Sequence, residues 1–190
     1  MSESDIIAGI SYGPLAVLAG VWTGDKGMDI SPEPDGQEDN PYYETISFEP
    51  IGTVNNAERQ ELVALRYHQL VSRKSNDEVF HNESGYWMWD AEQNIVMQVL
   101  TIPRGVSLVA GGTADHSEIE VCAATDDPDW GIVQSPFMRD NAKTLEFRHR
   151  ISVTGDTLIY DETTVLDIYG KRFDHSDANT LLRSSGSTSK

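Results

Sequence analysis

Ten short segments, each rich in β-branched and aromatic residues or alternating in polarity, follow one another along this chain with only short links between them. They are 20–30, 42–49, 60–72, 79–90, 94–102, 105–111, 117–124, 144–153, 156–167 and 179–184. With no helix between segments to carry a parallel crossover, such a run predicts an antiparallel meander. Left open, it would expose two unpaired edges. The expected fold is therefore all-β: a single antiparallel up-and-down β-barrel of about ten strands.

The alternation is clearest in LEFRHRISV, residues 145–153. Leu145, Phe147, His149, Ile151 and Val153 share one face of this segment, and Glu146, Arg148, Arg150 and Ser152 share the other. One short helix is expected near the N-terminus, where Pro14 suits an early helical position and Leu15, Val17 and Leu18 precede Gly20. The links at 73–78 and 153–156 carry turn chemistry, and the longer ones at 32–41 and 125–143 are expected to be acidic loops overhanging the barrel. No linker or repeat divides the chain. The expected organisation is an N-terminal segment 1–12, a barrel domain 13–184 and a disordered tail 185–190.

With 14 Lys and Arg against 31 Asp and Glu among 190 residues, the formal charge is −17, which repels nucleic acid and anionic membrane surfaces. Neither is expected as a partner. The single cysteine, Cys122, allows no intrachain disulfide, and the start MSESDIIAGISYG lacks the basic and apolar regions of a secretion signal, so a cytoplasmic location is expected. A homodimer is compatible with the acidic surface. A barrel of ten strands is wider than a minimal one, so an interior cavity for a small ligand is a physical expectation.

Four motifs bear on what such a cavity holds. In LAGVWTGDKG, residues 18–27, Gly20 lets the chain leave the helix tightly and Trp22 is set to plug one barrel end. FHNESGYWMWD (80–90), LTIPRGVSLVAGG (100–112) and FDHSDANTLLR (173–183) follow in order. This series resembles the nitrobindin family, haem-binding β-barrels related in shape to fatty-acid-binding proteins. The resemblance rests on Gly20, Trp22 and Gly24, then on His81, Glu83, Gly85, Tyr86 and Trp87, then on Pro103, Gly105 and Val106, and covers about residues 14–183.

The resemblance implies that His175 is the axial ligand of a haem b. It also implies ferric-haem chemistry: nitric oxide binding and isomerisation of peroxynitrite to nitrate. A ligating imidazole needs an acceptor for its other N–H, and Asp174 or Asp177 is placed to supply it. Further candidate cofactor contacts are Trp22, His81 and His149, the last because it lies on the apolar face of its strand. His68 and His116 carry no such argument. Lys26, Met28 and Ile102 depart from the family pattern, and Lys26 and Met28 bring bulk toward the same volume. The alternative function is a non-catalytic carrier of a fatty acid or other small hydrophobic ligand, its head group paired with Arg66, Tyr67 or Tyr160.

Overall fold

The computed structural model describes residues 5–115 and 118–184. The turn expected at His116 and the disorder expected of 185–190 lie outside the described residues. In chain order the elements are β1 (Ile6–Ile7), β2 (Ile10–Ser11), a 3-10 helix (Gly13–Leu18), β3 (Gly20–Glu33), β4 (Gly36–Asn56), β5 (Gln60–Arg73) and β6 (Val79–Asp90). There follow β7 (Ile95–Ile102), β8 (Val106–Asp115), β9 (Glu118–Ala124), β10 (Ile132–Gln134), α1 (Pro136–Asn141), β11 (Ala142–Thr154), β12 (Thr157–Ile168) and β13 (Lys171–Arg183).

Strands β3 to β9 and β11 to β13 pair antiparallel with their neighbours, and the ring closes through β13 on β3 and through β8 on β9. β10 adds an eleventh strand beside β8. The ten-stranded antiparallel barrel is as the alternation predicts, since each inward residue finds the core and closure removes most of the unpaired edge. Among the described residues, no helix is long and apolar enough to cross a membrane.

Three local features depart from the sequence expectation. The segment 32–41 is no overhanging loop: β3 and β4 run on as a long hairpin whose turn falls at Pro34 and Asp35. The segment 125–143 contains β10 and α1, the helix starting at Pro136 with the Ser135 side chain accepting from the Met138 N–H. The last strand begins at Lys171, eight residues earlier than the pattern suggests, because Asp174 and Ser176 alternate with Phe173, His175 and Asp177 along a full strand partner, β12. His175 is therefore a strand residue.

A fourth feature reverses an expected obstruction. The β3–β4 register shifts between Gly24 and Gly27, so Asp25 and Lys26 form a bulge and the facing of β3 changes across it. Trp22 points inward before the bulge and Asp29 after it, both buried, while Lys26 and Met28 are exposed on the outer wall. Neither fills the barrel. The space over Gly27 belongs instead to the Tyr42 ring, 2.0 Å from where a Cβ would stand.

The interior is layered. Near the 3-10 helix it is apolar, with Tyr12, Leu15, Leu18 and Trp22 packed into a cluster with Leu65, Trp87, Val96, Ile151 and Leu181. Trp22 is fully buried and its Nε1–H donates to the Leu18 carbonyl at 2.7 Å, closing this end. Toward the other end the inward positions turn polar, and there the candidate site lies.

Candidate functional site at the far end of the barrel

Inward alternation on β13 places Phe173, His175, Asp177, Asn179 and Leu181 on one face, with Asn179 and Leu181 buried deeper and His175 nearer the end. Asp177 is the direct partner of Asp29 on β3, and two carboxylates set opposite each other repel. His175 relieves this. One ring nitrogen lies 2.6 Å from Asp29 Oδ1 and 3.5 Å from Asp177 Oδ2. Asp29 Oδ2 in turn accepts from Asn40 Nδ2 at 3.0 Å, which fixes the carboxylate from β4.

The electrostatics follow from that packing. Burial opposes the charge on Asp29, yet the His175 hydrogen bond and charge and the Asn40 amide outweigh it and hold its pKa below the usual 3.8. Burial also opposes the charge on His175, but the Asp29 hydrogen bond and the nearby charges of Asp177 and Asp29 raise it above 6.5. Asp177 is pushed up to about 6 by burial, against the attraction of His175. The acceptor that orients His175 is thus Asp29. Asp174 points to the opposite face of the strand, and Asp177 stands farther off.

Cations gather at the rim. Arg73 lies 4.6 Å over the Phe80 ring, and Arg104 Nη2 donates to the Phe80 carbonyl at 3.4 Å. His81 pairs with Glu83 at 3.4 Å, and despite burial that partner raises its pKa above 6.5. Among the described residues Arg104 has no carboxylate partner.

Below the rim the barrel is filled by a polar layer, where an interior cavity was expected. Glu44 accepts from Asn179 Nδ2 at 2.7 Å, Tyr160 Oη at 2.9 Å and Gln69 Nε2 at 2.8 Å. Tyr67 donates to Glu83, Gln98 Nε2 donates to Tyr67 Oη at 3.0 Å, and His149 Nδ1 meets Gln98 Oε1 at 3.0 Å. Burial lowers the His149 pKa to about 4, so the ring is neutral, Nδ1–H donates to Gln98, and Nε2 has no partner among the described residues. Glu162, 3.7 Å from His149 Nδ1, is held well above the carboxylate range by burial and by the charge of Glu83.

The other predicted residues divide. His81 and His175 belong to the same end of the barrel. His149 lies deeper, ringed by Trp87, Phe147 and Tyr160 at centroid distances of 5.5, 6.2 and 5.5 Å. Trp22 stands at the opposite, helix-plugged end. Tyr67 and Tyr160 point inward, but both are committed to buried glutamates, and Arg66 pairs with Glu49 on the outer wall. Each of the three candidate head-group partners is thus already paired with a carboxylate. His68 also faces outward, bonded to Asn82 Oδ1 at 2.9 Å.

Sequence reasoning missed Asp29, Glu44, Glu83 as a buried acid, Glu162 and Gln98. The signal was present in the alternation itself: Glu44 shares its parity with Tyr42, Ile46 and Phe48, and Glu83 shares its own with Trp87.

Glu44 has a testable consequence. Burial lifts its pKa from 4.5 to about 7 against three hydrogen bonds that lower it. The folded chain then holds this proton more tightly than the unfolded chain. The stability it contributes is full below pH 4.5 and is lost as pH rises toward 7. Glu44→Gln should therefore gain on wild type in urea denaturation between pH 5 and pH 8, by up to about 3 kcal/mol at 1.36 kcal/mol per pKa unit. A stability difference that stays constant over that range rules this out.

The donor set can be tested against a haem. An axial imidazole needs a carboxylate or carbonyl on its other nitrogen, an inward position near an accessible end, and cations for the carboxylate edge of the porphyrin. Asp29, His175 and the pair Arg73 and Arg104 supply these three, so the residues present fit.

Comparison with known proteins agrees with the fold. The family described as the THAP4-like, heme-binding beta-barrel domain matches residues 11–183. The crystal structure of Rv2717c from M. tuberculosis is similar, with a TM-score of 0.64 and 22% identity over 90% of this chain and 94% of that one. At that identity the likeness concerns the fold. No curated protein matches the sequence.

Proposed function

The chain belongs to the family of THAP4-like, heme-binding β-barrel domains, and from that premise we propose that it holds a haem at the far end of its barrel, with His175 as axial ligand. The observation that carries this is the Asp29–His175 pair: a buried carboxylate fixed by Asn40 and bonded to one imidazole nitrogen at 2.6 Å. The nitrogen facing Asp29 keeps its proton and donates, which leaves the lone pair of the other nitrogen for iron. A ferric haem b bound there would supply an open iron position for nitric oxide and for isomerisation of peroxynitrite to nitrate.

The chain's own residues do the rest. Asp29 fixes the ring orientation and makes the imidazole more basic, Arg73 and Arg104 would pair with the haem carboxylates, and the layer of Tyr67, Gln98 and His149 forms a polar floor. That floor separates this barrel from an apolar carrier, since an alkyl chain placed there would strip hydrogen bonds from Glu44 and Glu83 without replacing them.

Hemin titration followed by its Soret band tests the proposal: wild type should bind one hemin per chain with a shifted band. Asp29→Asn should weaken that binding by about 10- to 100-fold, the usual cost of losing an outer partner of a ligating histidine. No shift with wild type refutes the proposal, and equal affinity in the variant refutes the role of Asp29.

A further inference from the structure

The same corner of the barrel has a second property that a haem does not require. The ligand atoms of Asp29, His175 and Asp177 all lie within 4.8 Å of one another, two oxygens and one nitrogen from adjacent strands. We propose that Asp29, His175 and Asp177 form a three-residue site for a single divalent first-row metal ion, zinc or manganese, and that this ion competes with haem for His175.

The donor set argues for this class of ion. One imidazole and two carboxylates suit zinc, manganese or ferrous iron, whereas calcium and magnesium take oxygen ligands throughout. With the imidazole neutral the three side chains carry two negative charges, matching a dication. The scaffold is rigid: Asp29 and Asp177 are register partners on β3 and β13, and Asn40 on β4 holds the outer oxygen of Asp29.

Asp177 is the residue that separates the two occupants. Its carboxylate makes no hydrogen bond among the described residues beyond its approach to His175 at 3.5 Å, so it stands beside the imidazole without a partner of its own. An incoming ion takes the nitrogen that faces Asp29, the ring's one proton moves to its other nitrogen and so closes that nitrogen to iron, and the two carboxylates then share one cation where they now share an imidazole N–H. Three protein ligands leave the remaining positions of the ion toward the half-exposed end of the barrel.

The clause on competition rests on the haem proposal, while the ion site stands without it. Isothermal titration of the metal-free protein with zinc, then manganese, should give one ion per chain for wild type. Asp177→Asn and His175→Gln should each weaken it at least about tenfold, as a lost ligand costs no less than a lost outer partner. Circular dichroism of both variants checks that they fold.

Absence of binding, or binding unchanged in both folded variants, overturns the site. Hemin titration of wild type with and without one equivalent of zinc then reads the competition. Hemin uptake reduced by zinc supports it, and uptake unaffected by bound zinc overturns it. If hemin fails to bind even without zinc, the haem proposal and the competition fall together, and the zinc titration decides the ion site by itself.

Discussion

His175→Ala is expected to leave hemin with the Soret band it has in buffer, at protein concentrations where wild type shifts it completely. Removing an outer partner of a ligating histidine costs about 10- to 100-fold in affinity, so removing the ligand itself should exceed about 100-fold. The variant also takes the imidazole from between Asp29 and Asp177, which face each other across β3 and β13. The two acids must then share a proton, so the pocket loses its nitrogen donor without gaining space for an apolar face. A neutral control is His68→Ala, on the outer wall, which should keep the wild-type spectrum. If His175→Ala keeps a shifted Soret band, the axial ligand lies elsewhere. His149, neutral and with an Nε2 that has no partner among the described residues, is then next in line.

What the sequence revealed and what it concealed have the same physical origin. A strand announces itself by alternation, and where inward residues are apolar, as in β11, both the strand and its facing can be read directly. On β13 the inward residues are His175, Asp177 and Asn179, so the alternation is polar on both faces and nothing marks a strand before residue 179. The site was hidden by the same chemistry that makes it a site. The bulge at Asp25 and Lys26 concealed the rest: a single extra residue moved Lys26 and Met28 outward and Asp29 inward, and no local pattern marks where such a shift falls. Asp29, the partner of His175, lies 146 residues away in sequence, beyond the reach of any motif.

Some long-range relations were legible because only one residue type could satisfy them. Gly20 followed by Trp22 predicts a tight exit from the helix and a large ring across the barrel end, and both are present. Gly20 has φ of +125°, a conformation open to glycine and strained for other residues, and a Cβ there would also press against the Arg183 guanidinium at 3.0 Å. The motif therefore encodes closure of the barrel at the helix end, while the chemistry at the far end depends on register.

That closure carries the second large effect. Trp22→Ala should destabilise the protein by about 3–5 kcal/mol, the range for removing a large buried aromatic side chain. Trp22 is 0% exposed, so the deletion leaves a cavity between the 3-10 helix and the core that Leu15 and Leu18 can only partly fill. It also leaves the Leu18 carbonyl without its 2.7 Å donor. Arg183, whose guanidinium lies 4.0 Å over the indole, loses a cation–π contact of about 0.5–1 kcal/mol. Arg183 further donates to the carbonyls of Val17 and Ala19, so ring and guanidinium together pin the helix onto β3 and β13. This seam needs pinning, because the β3–β13 register is interrupted between Ala178 and Leu182. For a chain of this size the midpoint of thermal unfolding should fall by roughly 6–20 °C, whereas Tyr86→Ala on the outer wall should change stability by about 0.5 kcal/mol or less. Were Trp22→Ala to cost no more than Tyr86→Ala, the indole would be a lid the barrel can do without, and closure would have to come from the strands alone.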